Sequence, residues 1–289
     1  MGNREGPHGT IAAMQIMITG ANGQLGQALL RQLPGAIGIA RPAVDITEAE
    51  AVERAVAAHR PDVIIHAAAM TDVDGAAREP ELAFRINGLG TQAVALAAAR
   101  HGAAVAYVSS NEVFDGAAGR PYTEFDPVRA INAYGASKLA GEWFVQHLLQ
   151  RFYIVRTAWV TGPGGRNFVH RIQQLADERG SLRVVSDEIA NPTFVDDLAG
   201  GIARLIATGR YGIYHLTNSG FVSRFDYARR ILELSGRSHV PITPITLAEF
   251  QRASTPPPFA PLDNLMAAGL GITLRPWEEA LRDFLGSPT

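Results

Sequence analysis

The glycine-rich segment "ITGANGQLGQ", which begins at Ile18, constrains the fold more than any other part of the sequence. It joins an apolar run typical of a β-strand, "MQIMITG", to the helical run "QLGQALLRQL". Glycine permits a tight turn and lets the backbone approach a pyrophosphate, which the N–H groups at the helix N-terminus then bind. Because a strand precedes the loop and a helix follows it, the segment predicts dinucleotide binding around Gly20, Gly23 and Gly26.

The rest of the first half repeats this strand–helix alternation. Further strands are predicted at "AIGIAR", "PDVIIHAAA", "AAVAYVSS" and "FYIVRTAWV", with helical stretches between them. Such alternation predicts a doubly wound parallel α/β sheet of the Rossmann type. We predict a dinucleotide-binding domain over 14–160 and a smaller, mainly substrate-binding part over 161–289 that returns some elements to the first. Residues 1–13 are predicted to be a disordered extension.

Composition excludes several classes of function. The chain has no cysteine, which excludes disulfides, thiolate nucleophiles and Cys-ligated zinc and fits a cytoplasmic protein. A formal net charge of −2 gives no reason to expect nucleic acid or an anionic membrane as a partner. No apolar run approaches the roughly 18 residues of a membrane span, and the histidines show no metal-ligand spacing.

The end of the second predicted strand bears on cofactor choice. An acidic residue there binds the 2′-hydroxyl of NADH, whereas an arginine suits the 2′-phosphate of NADPH. The chain offers Arg41 at that end and Asp45 four residues later. This slightly favours NADPH and leaves NADH open.

Lys138 is the one lysine in a chain whose other basic residues are arginines. It follows Tyr134 by four residues on a predicted helix opened by Asn132, so the two side chains share a face. A nearby ammonium lowers the pKa of a tyrosine phenol, and lysine supplies it as a compact charge that can also bind a ribose hydroxyl. The pattern therefore predicts a catalytic Tyr–Lys pair, completed by Ser109 or Ser110 at the end of strand four.

Other segments resemble those of the extended short-chain dehydrogenase/reductases, and in detail those of the dTDP-4-dehydrorhamnose reductases. They include "VDITEAEAV", "RPDVIIHAAAMTDVD", "NAYGASKLAGE", "RTAWVTGPGGRNFV" and "NPTFVDDLA", and the likeness runs from Met14 almost to the C-terminus. It implies transfer of hydride from NADPH or NADH to the C4 ketone of a nucleotide-linked 4-keto-6-deoxy sugar, in a possible homodimer.

The resemblance also implies roles by position. Ser110 would polarise the carbonyl, Tyr134 would protonate the developing alkoxide, and Lys138 would tune Tyr134 and hold the nicotinamide ribose. The implied cofactor contacts are Gly20, Asn22, Gly23, Gln24, Leu25, Gly26, Arg41, Asp45, Ile46, Ala67, Ala68, Ala69 and Ser109, besides Tyr134 and Lys138. The implied substrate contacts are Val73, Asp74, Asn111, Glu112, Trp159 and Asn167.

The sequence departs from the family pattern on the substrate side. Asn111 replaces a carboxylate and Glu112 replaces an aromatic residue after Ser110, while Gly75 replaces a lysine and Pro256–Pro257 an Arg–Pro pair. The reaction type is therefore better predicted than the sugar.

Two alternatives stay open. One is a sugar-nucleotide epimerase, with Glu112 as base; the other is a non-catalytic NADP-binding subunit like the β subunit of methionine adenosyltransferase. Dehydration is disfavoured because Asn111 cannot act as an acid. Among the remaining residues, His66 is interpreted as a hydrogen-bonded core histidine, "RFDYARR" as a solvated helix face, and Trp143 and Phe144 as facing the sheet.

Overall fold

The computed structural model describes residues 14–164 and 167–286, so the predicted 1–13 extension lies outside the described residues. The strands are β1 (Ile16–Thr19), β2 (Ile37–Ile39), β3 (Val63–His66), β4 (Ala104–Ser110), β5 (Phe152–Thr157), β6 (Val160–Thr161), β7 (Leu182–Val185), β8 (Ile189–Ala190), β9 (Thr193–Phe194), β10 (Gly212–His215), β11 (Val222–Ser223) and β12 (Ile242–Ile245).

The α-helices alternate with these strands along most of the chain. They are α1 (Gln24–Gln32), α2 (Ala49–His59), α3 (Val73–Arg78), α4 (Pro80–Ala83), α5 (Gly90–His101), α6 (Ala133–Leu148), α7 (Phe168–Arg179), α8 (Val195–Ala207), α9 (Arg224–Leu234), α10 (Leu265–Gly269) and α11 (Trp277–Gly286). A π-helical turn, Phe84–Leu89, joins α4 to α5, and a 3₁₀ turn, Asn111–Val113, follows β4.

The central sheet is parallel, with strand order β10-β5-β4-β3-β1-β2. One apolar core lies between the sheet and the α1/α8 layer, and the other lies beneath α2, α5 and α6. The central strands are buried on both faces, which explains why they read as continuous apolar runs. The prediction of a doubly wound Rossmann-type sheet is confirmed.

The later part of the chain completes this sheet. Strand β10 pairs in parallel with β5, Tyr214 lying opposite Val155, and α8 packs against α1. Strand β10 was not predicted as an element. Four residues, two of them fully buried, are too short a run for hydrophobic periodicity to reveal.

A smaller lobe forms around α7, α9, α11 and the two-stranded β7/β12 sheet, with its own apolar core that includes Tyr227 and Trp277. Residues 246–262 leave this lobe and return toward β4, where Ala260 and Leu262 pack with Phe114 and Tyr122. Within the described residues, none of the helices combines the length and apolarity needed to cross a bilayer.

Candidate active site

The turn between β1 and α1 leaves no room for a side chain at Gly20 or at Gly26. A Cβ on Gly20 (φ 72°) would lie 2.7 Å from the backbone nitrogen of Ala68, and one on Gly26 would lie 2.3 Å from the carbonyl oxygen of Gly20. Gly23 precedes α1 and donates its N–H to the Gly20 carbonyl at 2.9 Å. The first-turn N–H groups of α1 have no acceptor within the helix, so this bare cradle fits a pyrophosphate.

The other predicted residues of the loop have contacts of their own. The side-chain amide of Gln24 donates to the Gly164 carbonyl, and that of Asn22 donates to the Arg41 carbonyl at 3.4 Å. Leu25 is half-buried against the core beneath α1. The glycine loop is thereby tied to the end of β2 and to the loop that follows β6.

Arg41 lies just beyond β2 with 75% of its side chain exposed, and its guanidinium is 4.0 Å from the Asp45 carboxylate. Asp45 accepts hydrogen bonds from the N–H and hydroxyl of Thr47 at 2.9 and 2.8 Å, which lower the pKa of its carboxyl. Ile46 is buried against Gly90. Asp45 is therefore held by its own turn, and the Arg41 guanidinium beside it is mostly exposed.

The segment Ala67–Ala69 continues from β3 under the glycine loop. The N–H of Ala67 donates to the Thr19 carbonyl at 3.3 Å. Met70, which follows Ala69, exchanges two hydrogen bonds with the side-chain amide of Asn87. All three alanines are half-buried. The backbone of Ala67 and Ala68 lies against Gly20, and their side chains pack on the two apolar cores of the sheet.

Ser110 and Tyr134 meet where β4 ends and α6 begins. A Cβ on Gly135 would lie 2.0 Å from the Glu112 carbonyl, so glycine allows this close approach. The Ser110 hydroxyl accepts the Glu112 N–H at 3.2 Å and donates to the Asn111 amide oxygen at 3.4 Å. Burial raises the pKa of Tyr134 well above its ordinary value, the Glu112 charge adds to the rise, and Ser110 opposes it.

Lys138 lies one turn further along α6 and is 2% exposed. Its Nζ lies 4.2 Å from the centroid of the Tyr107 ring, a cation–π contact. Burial lowers the pKa of Lys138 to about 7, against the opposing charge of Glu142. Burial dominates the pKa of both groups, so the net pKa of Tyr134 is raised here, and the lowering by Lys138 that the spacing predicted stays a prediction.

Ser109 points away from the cleft. Its hydroxyl donates to Glu142 at 2.6 Å, and the same carboxylate accepts two hydrogen bonds from Arg156 at 2.9 and 2.7 Å. Ser109 is 3% exposed and its hydroxyl is engaged by Glu142, so its predicted cofactor contact stays a prediction. The alternation of β4 directs Ser109 to one face and leaves Ser110 at the strand end.

His66 is a core histidine, as predicted. Its Nδ1 lies 2.6 Å from the Thr19 hydroxyl and its Nε2 lies 3.1 Å from the Thr91 hydroxyl, which itself donates to the Asn87 carbonyl. Burial and the charge of Lys138 lower the pKa of His66 to about 3. The imidazole is therefore neutral, with Nδ1 accepting from Thr19 and Nε2 donating to Thr91.

Asp74 and Val73 begin α3, which Asp72 caps by accepting the Gly75 N–H at 2.9 Å. The Asp74 carboxylate accepts hydrogen bonds from Arg252 Nε and from the Ser254 N–H, both at 3.0 Å. This predicted substrate residue therefore fastens residues 246–262 to α3. Val73 is half-buried beside it.

Glu112 is half-buried and accepts a hydrogen bond from Asn132, which also caps α6 and donates to the Thr255 carbonyl at 3.1 Å. Burial raises the pKa of Glu112 to about 7, opposed by the Asn132 hydrogen bond, while Glu188 adds to the rise and Arg252 and Arg224 reduce it.

Three other predicted substrate residues are engaged within the protein. Asn111 is 4% exposed and donates to the Ala260 carbonyl at 3.1 Å. Asn167 caps α7 and donates to the Gly162 carbonyl at 3.0 Å. Trp159 has a positive φ of 40°, a strained conformation found at functional sites, and the Arg224 guanidinium lies 3.5 Å from its ring centroid.

Residues 14–288 match the RmlD substrate-binding domain. The chain belongs to that family. It is 38% identical over 285 residues to the dTDP-4-dehydrorhamnose reductase of Mycobacterium tuberculosis, covering 95% of this chain and 93% of the relative.

Solved structures agree with this assignment to the RmlD family. A dTDP-4-dehydrorhamnose reductase from Clostridium acetobutylicum superposes with a TM-score of 0.91 at 40% identity, covering 94% of this chain and 99% of that one. The Bacillus anthracis dTDP-4-dehydrorhamnose reductase, solved in complex with NADP, gives 0.90 at 39%, covering 94% and 98%.

In this RmlD family member, sequence reasoning missed the charged residues around Trp159. Arg224 was assigned to a solvated helix face, yet its Nε donates to Glu188 at 3.0 Å, and Tyr227 of the same helix is fully buried. That interpretation is wrong because α9 packs its first turn against Trp159 and Phe168. Trp143 was expected to face the sheet but is 53% exposed.

Proposed function

We propose that this chain is an NADPH- or NADH-dependent reductase of a nucleotide-linked 4-keto-6-deoxy sugar. The observation that carries the proposal is that Ser110, at the end of β4, hydrogen-bonds Tyr134 on α6, with Lys138 one helical turn further along, at the sheet edge where β1 also ends in its glycine turn. In parallel α/β sheets, ligands bind at the carboxyl ends of the strands, and the carboxyl ends of β1 and β4 lie at this same edge. The curated reductase relatives, matched over nearly their whole length, support the substrate class.

The bound reduced nicotinamide supplies the hydride. Ser110 Oγ donates a hydrogen bond to the C4 carbonyl oxygen and polarises it. The Tyr134 phenol, whose raised pKa keeps it protonated, passes its proton to the alkoxide, a stronger base than a phenolate. Lys138 stabilises the phenolate that remains and holds the nicotinamide ribose. NADPH is the proposed cofactor because the exposed Arg41 is free to meet a 2′-phosphate; the Bacillus anthracis relative was solved with NADP.

The test compares wild type and one variant in the same assay. Wild type and Tyr134→Phe are incubated with freshly made dTDP-4-keto-6-deoxyhexoses, dTDP-4-dehydrorhamnose among them, and either NADPH or NADH, and loss of reduced-cofactor absorbance is followed. We expect wild type to oxidise NADPH faster than NADH and the variant to bind cofactor without turnover. Cofactor binding by both with turnover by neither, across a panel of keto-sugars, would favour the non-catalytic subunit instead.

Glu112 supports a second activity, epimerisation. Its carboxyl group lies close enough to Tyr134 to raise the pKa of the phenol. As carboxylate it would take the proton from the carbon next to the ketone, forming a C=C bond and an enolate oxygen held by Ser110. The Tyr134 phenol would then protonate that carbon from the opposite face, which inverts its configuration and leaves Glu112 protonated and Tyr134 as a phenolate, and proton exchange with solvent would reset both groups. Exchange of solvent deuterium into dTDP-4-keto-6-deoxyglucose without reduced cofactor, lost in Glu112→Gln, tests this step.

We also propose a homodimer that uses the outer face of α6. Trp143 on that helix and Phe84 and Leu89 on the π-helical turn packed against it are 53%, 44% and 43% exposed. Large apolar side chains grouped on one surface are typical of protein contacts. Light scattering of wild type and Trp143→Glu measures the mass; a monomeric wild type would contradict the proposal.

A further inference from the structure

Two arginines lie next to each other on the substrate side, one on each flank of Glu188. Arg224 Nε is 3.0 Å from Glu188 Oε1, and Arg252 Nη1 is 3.9 Å from Glu188 Oε2. Glu188 is 8% exposed and the arginine side chains are each 20% exposed. The carboxylate between them offsets the repulsion that would otherwise separate two half-buried guanidinium groups.

Each guanidinium is fixed by its inner edge. Arg224 uses Nε for Glu188, and its plane lies over the rings of Trp159 and Phe168 at 3.5 and 4.8 Å. Arg252 uses Nε for Asp74 at 3.0 Å. Within the described residues, the Nη groups of both arginines donate no hydrogen bond, although they carry most of the side chain's donors.

The surroundings of Arg252 hold a further unused donor and a space. Ser254 is 4% exposed, and its hydroxyl has no hydrogen-bond partner among the described residues, although its N–H binds Asp74. A cavity of about 230 Å³ is lined by residues that include Phe250, Arg252 and Ser254. A buried hydroxyl left without a partner costs free energy, so a ligand that hydrogen-bonds it is favoured.

Fixed guanidinium groups with free outer edges suit phosphate oxygens, which accept two parallel N–H bonds from one arginine. We propose that Arg224 and Arg252 bind the diphosphate of the sugar nucleotide, with Arg224 also covering the Trp159 ring. This inference rests on the proposed function, because it places the nucleotide end of the substrate beside the sugar end at Glu112. Glu188 and Asp74 hold the two arginines in place.

The test is calorimetric titration of wild type, Arg224→Gln and Arg252→Gln with dTDP, UDP, GDP and thymidine. We expect wild type to bind one of the diphosphates, each variant to weaken it at least tenfold, and thymidine to bind all three proteins alike. Arg229→Gln is the matched control, since Arg229 lies on the same helix with an exposed i,i+3 partner, Asp226. NADPH affinity and melting temperature verify that each variant is folded.

The outcomes separate this inference from the proposed function. Wild type that reduces a keto-sugar, with unchanged diphosphate affinity and KM in both folded variants, overturns the arginine site and leaves the reductase. Arginine-dependent diphosphate binding without reduction of any keto-sugar keeps the site and removes the reductase. The site is also overturned if inorganic phosphate lowers the diphosphate affinity of wild type and of the two variants equally. Failure of wild type to bind any of the diphosphates overturns it as well.

Discussion

Glu142 and Arg156 form an ion pair with two hydrogen bonds, 2.9 and 2.7 Å long. Glu142 lies on α6 one turn beyond Lys138, and Arg156 lies on β5. Neither side chain is more than 3% exposed, and Ser109 adds a third hydrogen bond to the carboxylate. The charge of Glu142 raises the pKa of Lys138, although the lowering by burial is larger. The ion pair therefore helps the lysine keep its proton inside the protein.

Removing the carboxylate should strongly destabilise the fold. Glu142→Gln leaves the Arg156 guanidinium buried without a counter-charge, and we expect the free energy of unfolding to fall by about 3–5 kcal/mol. Urea denaturation measures this loss. The control is Glu53→Gln, whose partners Arg100 and His101 lie at the surface, and it should lower the free energy of unfolding far less. Equal losses would contradict the importance of burial.

Lys138 should not be replaceable by arginine. The site is 2% exposed and closed by the Tyr107 ring, so a planar guanidinium cannot occupy the volume of the ammonium. We expect Lys138→Arg and Lys138→Met both to lower kcat by about 100-fold or more. Steady-state kinetics with NADPH decides the matter. Arginine restoring most of the activity lost in Lys138→Met would show that charge alone suffices.

A methyl group in the glycine cradle should weaken cofactor binding. The Cβ of Gly26→Ala would lie 2.3 Å from the Gly20 carbonyl oxygen, so the backbone of the loop must move. We expect NADPH affinity, measured by fluorescence titration, to fall about tenfold or more. Gly35→Ala is the control because a Cβ there meets no atom within 4 Å, and its affinity should match wild type.

Glu112 should make stability depend on pH. Its carboxyl has a pKa of about 7 in the folded chain against 4.5 as its ordinary value, so the folded state retains a proton that the unfolded chain releases. Stability therefore falls as pH rises from 4.5 through 7. Glu112→Gln removes this loss. Its free energy of unfolding, measured by urea denaturation, should exceed that of wild type by about 1 kcal/mol near pH 5, rising to about 3 kcal/mol near pH 8.

The exposed carboxyl of Glu50 provides the comparison for that experiment. Glu50→Gln should follow the wild-type pH dependence across the same range. If Glu112→Gln also follows it, the carboxyl of Glu112 ionises alike in the folded and unfolded chain, and burial does not govern it.

The parts of the site that sequence predicted are those set by local geometry. Gly20 and Gly26 have to be glycine because of backbone within their own turn or the adjoining strand, and the i,i+4 spacing alone puts Tyr134 and Lys138 on one face. The spacing predicted a lowered pKa for Tyr134, whereas burial raises it in the folded chain. The degree of burial depends on packing, which the spacing does not reveal.

Contacts between distant segments account for the rest. Arg252 reaches Asp74 across 178 residues of chain, and Arg224 covers a tryptophan from a different element. A single arginine in a polar helical run has no sequence signal that separates such a role from solvation. Ser109 and Ser110 are likewise adjacent in sequence, and only the strand's pairing decides which of them reaches the cleft.

The return of β10 and α8 to the central sheet has a consequence for protein engineering. A fragment cut after residue 160 would expose the edge of β5 and the apolar face of α1, which β10 and α8 cover in the whole chain. Such an unprotected strand edge invites pairing with other chains. The first half is therefore not a transplantable module, and chimeras should keep β10 and α8 together with the central sheet that they complete.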